Sequence, residues 1–131
     1  MRIIVIGGKG LAEQVADALH RAGDEVTVID TEPGRESALA KVGLRAMYGD
    51  ALVPSTLEAA GALRADVLVA CTQSDEDNLV ISFLAKKRFN IPRVIARVND
   101  PAADGLFNHS WGVDALVSPA TSLVSMIRDE S

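Results

Sequence analysis

Residues 2–12 read Arg2-Ile-Ile-Val-Ile-Gly-Gly-Lys-Gly-Leu-Ala12, and residues 26–30 read Val-Thr-Val-Ile-Asp. The apolar, mostly β-branched run over 3–6 is typical of a parallel strand that is buried on both faces. Glycines follow at once, and apolar residues then recur at helical spacing as far as Gly23. Strand, glycine turn, helix, strand and acid come in the order of a mononucleotide-binding βαβ unit.

The glycine turn has the chemistry of a phosphate site, with one departure from the usual pattern. Glycines let backbone N–H groups approach a phosphate, and the following helix adds partial positive charge at its N-terminus. Asp30 stands where a carboxylate accepts hydrogen bonds from ribose hydroxyls. Lys9, however, replaces the second glycine of Gly-x-Gly-x-x-Gly/Ala. Either Gly10 relieves the crowding, or Lys9 meets phosphate as a point charge, or the turn binds nucleotide weakly or not at all.

Composition narrows the class of protein. The chain has 131 residues, 48% of them hydrophobic and 24% charged, as expected for one globular domain with its own core. A net charge of −5 argues against a general nucleic-acid or anionic-membrane binder. The one cysteine excludes an internal disulfide and a cysteine-based zinc site, and it fits a reducing cytosol.

Membrane and export signals are not expected. The first strand begins at the N-terminus, so we expect no signal peptide. No apolar run approaches the roughly 18 residues that span a bilayer. Any membrane role is therefore expected to come through a partner, without direct insertion.

Strand-like and helix-like segments alternate along the whole chain. Parallel pairing with right-handed crossovers is the common solution for such alternation. We predict an α/β, Rossmann-like, doubly wound sheet of six parallel strands in the order 3-2-1-4-5-6, with ligands between strands 1 and 4. After the first βαβ unit, the predicted strands cover 44–48, 67–71, 93–98 and 115–117, and the predicted helices 35–41, 54–60, 75–89, 102–109 and 121–128. The helix over 75–89 is expected to bury Leu79, Val80, Phe83 and Leu84.

The residues that directly follow each strand are the candidate cofactor-binding residues, because the carboxyl ends of parallel strands share one edge of the sheet. The candidates after the first four strands are Gly7, Gly8, Lys9, Gly10 and Leu11, then Asp30 and Thr31, then Asp50 and Ala51, then Cys71 and Thr72. Arg97, late in strand 5, completes the set.

Several of these candidates also have a purely structural interpretation. Asp50 either approaches an adenine amino group or forms a turn. Thr72 either touches ribose or phosphate or caps the next helix. Arg97 either reaches phosphate or pairs with Asp75 or Asp77, and the ion pair is favoured.

No catalytic or metal-binding constellation is recognisable. The chain has no Tyr-x-x-x-Lys, no Gly-x-Ser-x-Gly and no metal triad, and residues 75–77 are explained as a solvated, acidic helix start. The nucleotide-binding layers use the whole length, which leaves no region for a substrate. The pattern therefore favours a sensor over an enzyme.

Seven stretches together resemble the TrkA-N domain, also called the N-terminal domain of RCK, the regulator of K⁺ conductance. They are Met1-Arg-Ile-Ile-Val-Ile-Gly7, Val28-Ile-Asp30, Gly49-Asp-Ala51, Ala65-Asp-Val-Leu-Val-Ala70, Asp77-Asn-Leu79, Ile91-Pro-Arg-Val-Ile-Ala-Arg-Val-Asn-Asp100 and Gly112-Val-Asp-Ala-Leu-Val-Ser-Pro119. The resemblance covers nearly the whole chain, and the stretch over 91–100 is not a general Rossmann feature.

The resemblance implies a cytosolic regulatory domain of a potassium channel or transporter that binds NAD(H) or an adenine nucleotide such as ATP, ADP or AMP. It implies a homodimer, with an octameric ring as a larger assembly, on the inner face of a membrane partner. By position it assigns the phosphate loop to Gly7, Gly8 and Gly10, the ribose to Asp30, the adenine side to Asp50 and Ala51, and the cleft wall to Thr72. It also favours a functional role for Arg97.

The resemblance further divides the chain into a nucleotide-binding domain over 1–119 and a C-terminal helix over 120–131 that crosses to a partner subunit. In that helix Leu123, Val124 and Ile127 are the expected apolar contacts. Two other functions remain open from the residues alone: a small NAD-dependent oxidoreductase, and a scaffold that dimerises without a ligand.

Overall fold

The computed structural model describes residues 1–128 as an α/β fold built on one parallel sheet. The strands are β1 (Arg2–Ile6), β2 (Glu25–Asp30), β3 (Arg45–Tyr48), β4 (Val67–Ala70), β5 (Arg93–Arg97) and β6 (Ala115–Val117). The helices are α1 (Leu11–Arg21), α2 (Arg35–Lys41), α3 (Pro54–Ala59), α4 (Asp75–Lys87) and α5 (Pro119–Arg128). The strand order is β3-β2-β1-β4-β5-β6, as predicted.

Both faces of the sheet are covered, which explains why its central strands read as continuous apolar runs. Alternate residues of β1 enter two separate cores: Ile4 and Ile6 pack on the side of α3 and α4, whereas Ile3 and Val5 pack on the side of α1 and α2. The first core includes Leu57 of α3, which has no exposed surface. Strand β1 is thus the centre of the molecule.

The predicted inward face of α4 is only half right: Leu79 is buried and Leu84 packs against the core, as expected, but Val80 and Phe83 are exposed. In α4 the buried residues are Asn78, Leu79, Ile81, Ser82 and Ala85, while Val80 and Phe83 are each 40% exposed. The positions 78, 81, 82 and 85 follow the spacing of one helix face, but two of them are polar. A choice made by hydrophobicity alone therefore selected a neighbouring face.

In α1 the buried residues are the small ones, Ala12 and Ala16. Leu11 is exposed, and Val15 and Leu19 are only partly buried. Small side chains let the helix lie close to the sheet beside β1, so size outweighs hydrophobicity at these positions.

The helix predicted over 102–109 is also wrong. Two 3₁₀ segments, Pro101–Leu106 and His109–Trp111, occupy this region. The Asp100 carboxylate accepts a hydrogen bond from the backbone N–H of Ala102 and starts the first segment. Phe107, which is 3% exposed, turns into the core between the two segments and interrupts any continuous helix.

Helix α5 begins two residues earlier than predicted, at Pro119, and all of its residues except Ala120 are exposed. The hydroxyls of Ser118 and Thr121 donate hydrogen bonds to the Asp104 carboxylate and hold the start of the helix. Its apolar side chains include Leu123, Val124, Met126 and Ile127, which are 54–76% exposed. The last residues of the predicted C-terminal segment, 129–131, lie outside the described residues.

Candidate functional site

The register of the sheet brings the ends of three strands to one edge. Ile6 of β1 lies beside Ile29 of β2 and Ala70 of β4. The backbone N–H of Gly7 donates to the Ile29 carbonyl at 3.0 Å, and that of Cys71 donates to the Ile6 carbonyl at 2.8 Å. The glycine turn, Asp30 and the residues after β4 therefore surround the carboxyl end of β1.

The glycine turn requires glycine at its first position. Gly7 has φ +155°, and a Cβ there would lie 2.5 Å from the carbonyl oxygen of Cys71 and 2.6 Å from Cβ of Ala12. The missing side chain lets the turn pass between β4 and α1. Any larger residue would push these two elements apart.

The start of α1 is open toward this turn. Gly10 is the N-cap residue, with φ 89° and ψ −126°, and no side chain hydrogen-bonds to the first N–H groups of the helix. Those N–H groups have no acceptor inside the helix either, so they can bind an anion. Lys9 and Leu11 are exposed beside them.

Asp30 lies at the end of β2 and faces the glycine turn. A Cβ at Gly8 would lie 3.2 Å from Oδ1 and 3.4 Å from Oδ2 of Asp30, so a side chain at this position would crowd the carboxylate. The residue is 3% exposed, and Oδ1 accepts a hydrogen bond from the backbone N–H of Glu32 at 2.9 Å. Thr31, next in sequence, is exposed.

Arg35 is a member of the site that the sequence analysis missed. Its Nε donates to Oδ2 of Asp30 at 3.3 Å, and its Nη2 donates to Oε2 of Glu13 in α1 at 2.5 Å. The hydrogen bond to Glu13 is the main reason that the pKa of Arg35 is raised above its ordinary value. One signal was available: arginine is the first residue of α2, where the helix dipole favours acids.

The residues after β3 are close to this edge but differ in exposure. Asp50 is exposed, and its Oδ1 accepts a hydrogen bond from the backbone N–H of Leu52 at 2.9 Å. The turn expected for Asp50 is therefore present. Ala51 is 2% exposed and belongs to the core under α3.

Thr72 and Asn78 tie the ends of β4 and β5 to the start of α4. Oδ1 of Asn78 accepts hydrogen bonds from the backbone N–H and the hydroxyl of Thr72, at 3.0 and 2.7 Å. Its Nδ2 donates to the carbonyl oxygens of Thr72 and Arg97, at 3.1 and 2.9 Å. Asn78 has no exposed surface, and all of its polar atoms are satisfied.

The cap of α4 is Ser74, whose hydroxyl accepts a hydrogen bond from the backbone N–H of Asp77. Thr72 supports this turn because its hydroxyl oxygen accepts a hydrogen bond from the backbone N–H of Ser74 at 3.2 Å. The structural interpretation of Thr72, support of the following helix, is thus realised through Ser74 and Asn78.

The ion pair favoured for Arg97 is not found. Within residues 1–128 its guanidinium has no carboxylate partner within 4 Å, and its Nε is buried without a hydrogen-bond partner. The Asp75 carboxylate instead accepts hydrogen bonds from the backbone N–H groups of Asn99 and Asp100. A rigid bridge between α4 and the end of β5 results.

Charge and burial act on two groups near Arg97. Burial alone would raise the pKa of Asp75, but the hydrogen bonds from Asn99 and Asp100, together with the Arg97 charge, hold it below its usual value. Burial raises the pKa of the Cys71 thiol, and Arg97 offsets only part of the rise. Cys71, 4% exposed, is a packed thiol and not an activated nucleophile.

Residues 1–128 contain neither a metal-binding cluster nor a helix suited to cross a membrane. No cluster of three metal-ligating side chains occurs among these residues. None of the helices described there combines the length and the apolar character that crossing a bilayer needs.

A doubly wound parallel sheet with a glycine turn before α1 and an acid at the end of β2 defines the class of Rossmann-like domains. The chain belongs to the TrkA-N domain family, which matches residues 3–119. The resemblance drawn from the sequence is therefore confirmed.

Proteins named for potassium uptake are similar to nearly the whole chain. The Trk system potassium uptake protein TrkA of Mycobacterium tuberculosis is 40% identical over 129 residues, which are 98% of this chain and 59% of that protein. This chain thus spans about three fifths of the length of that relative.

Two solved structures of related proteins contain adenine nucleotides. The Kef C-terminal domain of Shewanella denitrificans in its AMP-bound form is 26% identical, with a TM-score of 0.78, and the match covers 97% of this chain and 77% of that one. GsuK bound to ADP is 26% identical, with a TM-score of 0.75, and the match covers 99% of this chain and 35% of that one.

Proposed function

We propose that this protein is a regulatory domain of a potassium transport system that senses an adenine nucleotide. The observation that carries the proposal is the Asp30 carboxylate, which faces Gly8 beside the uncapped start of α1. A carboxylate that can accept hydrogen bonds from hydroxyl groups thus lies beside a helix N-terminus that can bind an anion, at one edge of the sheet. The AMP and ADP in the related structures support the same ligand class.

Each part of the nucleotide has a proposed partner. The phosphates accept hydrogen bonds from the backbone N–H groups of Gly8, Gly10 and Leu11. Gly7, which has no side chain, leaves room for the turn, and Lys9 adds positive charge. Asp30 binds the ribose hydroxyls, and Thr31 lies beside them. The remaining candidates form the adenine side and the far wall of the cleft: Asp50, Ala51, Cys71, Thr72 and Arg97.

The size of the ligand follows from the exposure of Lys9. Its side chain projects toward solvent at the phosphate end, where it favours a terminal phosphate over a second nucleoside. AMP, ADP or ATP is therefore the preferred ligand over NAD(H). The relatives are named for potassium uptake, which supports a role in binding and not in turnover.

The membrane partner and the assembly are inferred from the relatives and from α5. We infer that the domain acts on the cytoplasmic side of a potassium channel or transporter, as the TrkA relatives suggest. A second copy of the chain would cover Leu123, Met126 and Ile127, which are 61–76% exposed in the single chain. Such a homodimer would be the unit of a larger ring.

Sedimentation of the wild-type chain and of an Ile127→Asp variant tests the homodimer. We expect a dimer for the wild type and a folded monomer for the variant, because a charge cannot be buried against the apolar face of a partner. Monomeric wild-type protein at micromolar concentration would contradict this assembly.

Calorimetric titration with AMP, ADP, ATP, NAD⁺ and NADH tests the nucleotide site. For the ligand that binds the wild type, Asp30→Asn is expected to weaken binding at least tenfold, because hydrogen bonds to a charged acceptor contribute about 1.5–3 kcal/mol each. Asp17→Asn is the matched control, since Asp17 pairs with Arg21 at the far end of α1. Equal affinities in all three proteins would refute the site.

A further inference from the structure

The guanidinium of Arg35 lies between two carboxylates at the ribose side of the proposed cleft. Its side chain is 16% exposed, and that of Asp30 only 4%, so the pair is largely shielded from water. Glu13, which is 42% exposed, holds the guanidinium from the α1 side. Three elements, α1, β2 and α2, thus meet in one charged contact.

The hydrogen-bond capacity of Asp30 is only partly used. A carboxylate offers about four acceptor sites. The backbone N–H of Glu32 takes one on Oδ1, and Nε of Arg35 takes one on Oδ2. About two sites remain, one on each oxygen, which matches the two adjacent hydroxyls of a ribose.

Arg35 restricts how those free sites are oriented. Its Nε and Nη2 donate to two different carboxylates, so the planar group cannot rotate without breaking one bond. Asp30 cannot then turn its Oδ2 edge away from the cleft. The cluster of Glu13, Asp30 and Arg35 also keeps a net negative charge, which disfavours a phosphate on the ribose 2′-oxygen.

We propose that Arg35 is a positioning residue that makes the site selective for ribonucleotides with a free 2′-hydroxyl. It acts through Asp30: the fixed carboxylate accepts both ribose hydroxyls, and a 2′-deoxy ligand leaves one acceptor unpaired. The inference rests on the proposed function, because it concerns the same cleft. It adds that the cleft recognises the 2′-hydroxyl of the ligand.

The test compares the affinities of AMP and 2′-deoxy-AMP for the wild type, Arg35→Gln and Arg35→Lys. We expect the wild type to prefer AMP at least tenfold. Arg35→Gln should reduce the preference at least fivefold while changing 2′-deoxy-AMP binding less than twofold. Arg35→Lys keeps the charge without the fork and should retain an intermediate preference.

A purely structural role of Arg35 would weaken both ligands equally, and that result would overturn the inference. If Arg35→Gln does not fold, Glu13→Gln replaces it, because that change frees the guanidinium from α1 and should also reduce the preference. An unchanged preference in Glu13→Gln and Arg35→Lys would likewise overturn it, with the proposed function intact. A wild type that binds no adenine nucleotide would instead overturn the proposed function, and this inference with it.

Discussion

Some residues of the candidate site could be recognised from the sequence alone, and others could not. Gly7, Gly10 and Asp30 were selected from the sequence because their roles depend on local backbone geometry and on position after a strand. Arg35 was missed because its two partners lie 22 and 5 residues away, in separate elements, and no local spacing links them. For Arg97 an ion pair with Asp75 or Asp77 was favoured. In the structure, the Asp75 carboxylate instead accepts hydrogen bonds from two backbone N–H groups.

Asp75 gives a prediction about pH. Its folded pKa lies below the ordinary 3.8, so its contribution to stability is present above about pH 4 and is lost as the pH falls through the folded pKa. Asp75→Asn is expected to lower the free energy of unfolding by about 1.5–3 kcal/mol at pH 7, the range for a hydrogen bond to a charged group. The deficit should shrink below pH 4, where the wild type also loses its charge.

Urea denaturation from pH 7 to pH 2.5 measures this difference. Asp77→Asn is the control, because Asp77 adds the same charge to the same helix turn, where its backbone N–H is bonded to Ser74. A deficit of Asp75→Asn that is constant across the pH range would contradict the explanation.

At the level of helices and strands, most bounds were predicted to within two residues, but the helix over 102–109 was wrong and the inward face of α4 was only half right. Strands β1 and β2 are continuous, mostly β-branched runs, a pattern typical of buried parallel strands. Helix α4 buries Asn78 because the ends of β4 and β5 beneath it present N–H and carbonyl groups that need partners, and the buried Ser82 hydroxyl is satisfied within the helix by the Asn78 carbonyl. The need for a buried polar residue arises from tertiary structure, so hydrophobic patterning could not reveal it.

Asn78→Ala tests how much this buried amide stabilises α4. It leaves the backbone N–H of Thr72 and the carbonyl of Arg97 without their partner, and each unsatisfied buried group costs about 1–3 kcal/mol. We expect a loss of about 3 kcal/mol in the free energy of unfolding by urea. Glu76→Ala, an exposed change on the same helix, should alter it by less than about 0.5 kcal/mol. A similar small change for Asn78→Ala would show that water replaces the amide.

For the molecule as a whole, strand order was predicted correctly because alternation and handedness leave one common topology. The family followed from motifs that span nearly the whole chain. The role of α5 did not follow in the same way, because all of its residues except Ala120 are exposed in the single chain. The proposed ligand likewise depends on a cleft whose candidate residues lie at the ends of five strands, β1 to β5.

The most direct measurement is amide-resonance mapping of the ¹⁵N-labelled protein during titration with AMP, ADP or ATP. The proposed site predicts saturable shifts confined to the glycine turn, the start of α1, residues 30–35 and residues 71–72. The opposite edge of the sheet, around Asp24 and Asp66, should stay unchanged. Saturable shifts at that opposite edge, or no shifts at millimolar nucleotide, would contradict the nucleotide-sensing role.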